Sequence, residues 1–213
     1  MKLLPLDRSD LLELAANWLA RIENYQWLDF GGGKQVVTPA LLKIMTQRDT
    51  HFLRAYTSDH DDIPIGILGL NGVDHAFKTA TFWGLSGDKS FRSRGYATLA
   101  ASMFLSLAFR ELGLHSVNTW VVDHNSSLRI GERLNYNFVG RLRQCHLIDG
   151  RLHDRLLFDL LASEHRDLEE ERWNRLEKRR IDRNAQSGSS RPLDLPGEKL
   201  REAQGAEHSK RAI

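Results

Sequence analysis

Arg92-Ser93-Arg94-Gly95-Tyr96-Ala97 puts two guanidiniums, a hydroxyl and a glycine directly ahead of an apolar-periodic stretch, 98–111. A strand-like run, 79–85, comes before it, so the order is strand, glycine turn, helix. Such a turn leaves the first N–H groups of the helix without partners at the positive end of its dipole. With Arg92 and Arg94 beside them, the ligand this predicts is a pyrophosphate. A second polar turn, Asp123-His124-Asn125-Ser126-Ser127, follows the β-branched and aromatic run 117–122 and opens a helix through Leu134. In a right-handed α/β unit the two turns stand at the same ends of neighbouring strands, where one ligand can touch both.

Further pieces occur in order along the chain. Arg92-Ser93-Arg94-Gly95-Tyr96-Ala97 fits Gln/Arg-x-x-Gly-x-Gly/Ala, and Asn125-Ser126-Ser127 is similar to an Asn-x-x-Ser turn. Glu132-Arg133-Leu134-Asn135-Tyr136 is similar to a Glu-Lys-Leu-Gly-Phe helix end, and Asp149-Gly150-Arg151-Leu152-His153-Asp154 to a Gly-Arg-Tyr-His-Asp hairpin. Together, over residues 1–162, they resemble the GNAT superfamily of acyl-CoA-dependent N-acetyltransferases, in the branch acting on ribosomal-protein N-termini, aminosugars and polyamines. The resemblance implies an α/β (α+β) fold with a single mixed, mainly antiparallel sheet flanked by helices. It also implies acetyl-CoA as co-substrate and direct attack of a primary amine on the bound thioester. Three departures stand out. The Asn-to-Ser spacing is one residue short, so Ser126 or Ser127 could take the family's serine position, with alignment from the helix end favouring Ser127. A tyrosine that relatives place one turn into this helix is replaced by Gly131 or Glu132. Asn135-Tyr136 stands where Gly-Phe is usual.

Acyl transfer needs a held acyl-CoA, a neutral amine, a donor to the developing oxyanion and a proton for the leaving thiolate. The expected cofactor contacts are Leu85, Arg92, Ser93, Arg94, Gly95, Tyr96, Ala97 and Thr98, with Asn125 on the CoA arm. Backbone donors at the end of 83–85 are expected to meet the carbonyl oxygen, Gly84 and Gly87 permitting a bulge there. Ser127, directly or through water, is preferred as thiolate proton donor over Glu132, whose ionised carboxylate has no proton to give. Asn125 and Ser126 are equally suited to capping the helix. Candidates for the base are His124, His146, His153, Asp154 and Asp74; His153-Asp154 leads because the matching hairpin of the resembling branch often has that pair, and a water relay is the alternative. Tyr25, Trp27, Phe30 and Trp83 are expected to wall the acceptor, next to mobile backbone at Gly31-Gly32-Gly33. That run lacks the spacing of a P-loop. Asp59-His60-Asp61-Asp62 reads as hairpin-turn chemistry, so no metal is expected.

These residues need one core and a frame. A chain of 213 residues, 41% hydrophobic, can bury one ordinary α/β core with length left over. A net charge of +2 gives no argument for nucleic acid or an anionic membrane. The single cysteine, Cys145, excludes an intrachain disulfide and is expected in the core of a strand over 141–148. No apolar run reaches the roughly 20 residues that span a bilayer, and the first residues are too short for a signal peptide, so a cytoplasmic location is expected. The expected frame is a strand at 2–6, a helix capped by Ser9 through about 22, and a helix from Thr38-Pro39 to about 47. An antiparallel meander over 51–57, 65–71 and 79–85 follows. The acetyltransferase-like domain is expected to span 1–162. A charged helix capped by Ser163 follows over 163–184, and a disordered tail over 185–213. The extension leaves room for a homodimer. It also supports an alternative reading: a catalytically weak acyl-CoA-binding regulatory protein whose basic helix, with Lys178-Arg179-Arg180, binds a partner or RNA.

Overall fold

The computed structural model describes residues 1–30, 37–59, 62–172, 174, 177 and 178. Residues 1–172 form one compact unit. Of the second unit, 173–213, residues 174, 177 and 178 are described and are helical. The expectations for 31–36, for His60 and Asp61, for Arg179-Arg180 and for a disordered 185–213 lie outside the described residues.

The chain runs β1 (Leu3–Pro5), α1 (Ser9–Leu19), α2 (Ile22–Tyr25), α3 (Pro39–Thr46), β2 (His51–Thr57), β3 (Pro64–Asp74) and β4 (Thr79–Ser86). It continues with α4 (Tyr96–Arg110), β5 (Ser116–Val122), α5 (Leu128–Arg133), β6 (Asn137–Ile148) and β7 (Arg151–Leu161). The seven strands make one sheet in the order β1-β2-β3-β4-β5-β7-β6, and only β4 and β5 pair in parallel. This is a mixed α/β fold with a mostly antiparallel open sheet, as expected. Among the described residues no helix is long and apolar enough to cross a membrane.

Strand alternation distributes the core over both faces. Leu53, Ala55 and Ile67 meet α1 and α3 on one side, through Leu11, Leu12, Ala15, Leu19 and Leu42. Tyr56, Leu68 and Leu70 meet α4 on the other, through Ala100, Ala101, Phe104, Leu105 and Ala108. Thr38 caps α3 by accepting from Leu41 N, and Pro39 occupies the first helical position, where its missing N–H costs nothing. Gly113, at φ 63°, ends α4 with Leu114 N returning to Ala108 O. Asp149 and Gly150, both at positive φ, make the two-residue turn between β6 and β7.

Several local expectations are corrected. Ser9 is the first helical residue and makes no cap; the N-cap is Arg8, whose side chain pairs with Asp10 and does not cap the helix. The first helix breaks after Leu19, and a separate turn, α2, carries the aromatic segment. Cys145 is exposed, because β6 is an edge strand whose ladder is interrupted between Leu142 and His146. After Leu161 the chain does not enter a helix at Ser163. Residues 164–167 cross α4, where Ser102 Oγ donates to Arg166 O, Leu168 N donates to Ser102 Oγ, and Ser106 Oγ donates to Asp167. Asp167 then caps the next helix by accepting from Glu169 N and Glu170 N.

Candidate functional site

The sheet opens at one place. β4 and β5 pair at Thr79↔Ser116, Ala80↔Val117 and Thr81↔Asn118, and no further. Thr119 Oγ1 closes the vertex by donating to Phe82 O at 2.9 Å. Because the Phe82 carbonyl faces β5, strand alternation turns the backbone groups of Gly84 and Ser86 into the same gap. The expected bulge is absent: β4 keeps a regular register with β3 from Ser86 to Thr81. Gly87 is explained by packing instead, since a Cβ there would lie 2.0 Å from the Trp18 ring.

Both polar turns follow the C-terminal ends of the splayed strands. Gly95, at φ 84°, is the N-cap of α4 and gives it no side-chain cap; Ser93 is also at positive φ, 61°. Among the described residues, the N–H groups of Ser93, Arg94, Gly95, Tyr96, Ala97 and Thr98 donate to nothing. Neither Arg92 nor Arg94 pairs with a carboxylate there. The Arg94 guanidinium lies 5.3 Å from the Phe91 ring, which contacts Tyr96 edge-on. Six donors and two unpaired guanidiniums in one turn are a polyanion cradle.

At the end of β5, Asn125 Oδ1 accepts from Ser127 N at 2.9 Å, so this side chain shapes the turn. Ser127 is half-buried, and among the described residues its hydroxyl has no partner. His124 Nδ1 lies 3.0 Å from Asp123 Oδ1. The His153 ring, carried in by β7, is 4.3 Å from that of His124. Asp154 points to the opposite face, its carboxylate receiving Gln144 N at 2.8 Å and Arg141 at 3.2 Å, which ties down the interrupted part of β6.

The segment after α2 forms the remaining wall. Trp27 donates to Glu23 O and contacts the His124 ring edge-on at 5.1 Å. Phe30 meets Trp83 at 4.9 Å. Trp83 itself is buried, its Nε1 donating to Asn71, so it backs Phe30 rather than opening to solvent. Tyr25 is exposed.

The acetyltransferase (GNAT) domain family matches residues 1–137, a stretch that holds both splayed strands and both turns. The chain belongs to that family. Probable N-acetyltransferase YjcK of Bacillus subtilis (strain 168) is 25% identical over 144 residues, covering 67% of this chain and 77% of that protein. Among solved structures, spermidine N-acetyltransferase from Vibrio cholerae in complex with CoA and spermine aligns with a TM-score of 0.64 at 18% identity. The alignment covers 76% of this chain and 96% of that one. Ribosomal-protein-S5-alanine acetyltransferase from Vibrio fischeri gives 0.61 at 15% identity, over 75% and 92%. At these identities the likeness shows a shared fold.

In this GNAT domain a pin not visible in the sequence holds the segment after α2. His146, 6% exposed, donates from Nε2 to Gln26 O at 2.6 Å and accepts at Nδ1 from Arg155 Nε at 3.0 Å. Arg155 also donates to Asp29 at 2.9 Å and stacks 3.9 Å over Trp120. Burial, and then the nearby Arg155 charge, push the His146 pKa down against the opposing hydrogen bond to Gln26. A neutral ring is what the pin requires, since Nδ1 must keep its lone pair. The alternation of β6 and β7 gave no clue, because the partners are 120 and 126 residues away.

Proposed function

We propose that this protein transfers an acetyl group from acetyl-CoA to a primary amine by direct attack of the neutral amine on the bound thioester. The observation that carries this reading is the row of N–H groups from Ser93 to Thr98, flanked by Arg92 and Arg94, all without a hydrogen-bonding or ionic partner among the described residues, at the open end of the β4/β5 split. The pyrophosphate lies on that turn. The pantetheine arm, an amide chain, pairs with the free backbone edge at Gly84 and passes Leu85 and Asn125. The Gly84 N–H faces the gap and is placed to donate to the carbonyl oxygen as it becomes an oxyanion; one such donor is worth about 3 kcal/mol of barrier. The Ser127 hydroxyl, without a partner among the described residues, passes a proton to the leaving thiolate directly or through a water, and regains one from solvent. His153 accepts the amine proton, directly or through a water, and Asp154 holds the hairpin that carries it. Tyr25, Trp27 and Phe30 face the acceptor. Asp29 is already paired with Arg155 and Glu23 with Lys89, which favours an acceptor with one amine on an uncharged scaffold, a protein N-terminus or an aminosugar, over a polyamine.

Thermal unfolding with and without acetyl-CoA tests the site. Ligand at about 100 times its dissociation constant adds about 2.7 kcal/mol, and the midpoint should rise by several degrees. Thiol release on adding peptide, aminosugar and polyamine acceptors tests the reaction. Gly131 and Glu132, where relatives carry a tyrosine, favour a second reading, a CoA-binding protein with little turnover; a clear midpoint shift without thiol release for any acceptor would select it. No shift at all would overturn both.

A further inference from the structure

The end of β5 carries a donor set that the transfer reaction does not exhaust. Asp123, His124 and His153 offer one ligand atom each, all within 4.8 Å of one another. Asp123 Oδ1 stands 3.0 Å from His124 Nδ1 and 3.7 Å from His153 Nδ1. Donors about 2.0–2.1 Å from a tetrahedral ion are about 3.3–3.4 Å apart, so these two separations bracket those of a coordinated set. The backbone beneath is fixed, with Asp123 N donating to Asp154 O and Val122 in register with Arg155. The side chains above it are partly exposed, at 36%, 47% and 23% for Asp123, His124 and His153, and rotation can close the third separation.

We propose that Asp123, His124 and His153 bind a divalent transition ion of the zinc class. Two imidazoles and a carboxylate suit zinc and its first-row neighbours, whereas calcium and magnesium take oxygen shells. Three protein ligands leave a position open to water, so the ion exchanges rather than holding the fold together. Occupancy has a consequence for turnover. A neutral imidazole has one lone pair, and coordination takes the one with which His153 would accept the amine proton, so the metal-bound protein is inhibited. That consequence rests on the proposed transfer reaction; binding itself does not.

The test uses the full, untagged chain stripped with a chelator. Co2+ is titrated by its visible absorption and Zn2+ by calorimetry. The expected result is one ion per chain, with His124→Ala and His153→Ala each weakening binding by about tenfold or more and Cys145→Ser leaving it unchanged. No saturable binding, or unchanged affinity in the double histidine variant, overturns the site. Metal-free unfolding midpoints check that the variants fold, and Asp123→Asn, similar in shape, provides the readout if an alanine variant does not. Turnover that continues with the ion bound overturns the assignment of His153 as base and leaves the metal site standing.

Discussion

Replacing Gly95 with alanine, glutamine and glutamate separates backbone strain from charge at the phosphate end of the site. Gly95 sits at φ 84° and ψ −7°, and a side chain in that region costs about 1–2 kcal/mol. A Cβ there meets no heavy atom within 4 Å, so no steric cost is added. Gly95→Ala should therefore lower the unfolding midpoint by about 2–8 °C and leave acetyl-CoA affinity close to that of the parent. Gly95→Gln adds length without charge and should behave similarly. Gly95→Glu carries the same strain and adds a carboxylate among the N–H groups proposed to hold the pyrophosphate. Two unit charges about 5 Å apart at an effective dielectric of about 20 repel by about 3 kcal/mol, on the order of a hundredfold in affinity. Calorimetric titration with acetyl-CoA reads the difference. If Gly95→Glu binds as Gly95→Gln does, the pyrophosphate does not lie on the α4 N-terminus and the cradle argument is refuted.

Three other outcomes are expected. Ser127→Ala removes a hydroxyl without a partner among the described residues, so the protein should fold normally while kcat falls by about a hundredfold and the KM for acetyl-CoA stays level; an unchanged kcat would exclude Ser127 as proton donor. Tyr136→Phe should raise the unfolding midpoint, since the Tyr136 hydroxyl is buried with no partner among the described residues and leaving such a group unpaired costs about 1–3 kcal/mol; a fall would show that the hydroxyl is satisfied. Burial lowers the His146 pKa, so above an ordinary histidine pKa of about 6.5 the ring is neutral folded and unfolded; as pH drops through that value the unfolded chain takes the proton first and stability declines. The fall in midpoint between neutral and acidic pH should be shallower in His146→Asn, and an identical slope would remove His146 as a cause.

What was legible in the sequence was local. Thr38-Pro39 and Asp149-Gly150 are positions where one backbone conformation excludes most alternatives, and each element boundary there falls where the residue types put it. The glycine turn before α4 was legible for the same reason. What escaped depended on distant partners. Ser9 has the chemistry of a cap, but the chain enters α1 one residue earlier. Cys145 follows a strand pattern, yet whether a strand is central or an edge is decided by topology, and β6 lies at the edge. Ser163 has the chemistry of a cap, but the cap is Asp167, whose place is set by Ser102 and Ser106 on α4. The cluster of Asp123, His124 and His153 is likewise set by the β5–β7 pairing, which joins residues about thirty apart in the chain.

The acceptor side is best understood through its ion pairs. Solved relatives with this fold include a spermidine N-acetyltransferase and a ribosomal-protein-alanine acetyltransferase, so the fold does not choose between a polycation and a peptide. The side chains do. Asp29 is held by Arg155, Asp154 by Arg141 and Glu23 by Lys89. A polyamine would have to take one of these carboxylates from its partner. At Asp29 that would break a charge-assisted hydrogen bond worth about 1.5–3 kcal/mol and leave Arg155, largely buried over Trp120, facing the incoming cation. An amine on a neutral scaffold meets no such cost. On the proposed reading it needs an aromatic surface and one proton acceptor, the roles proposed for Trp27, Phe30 and His153.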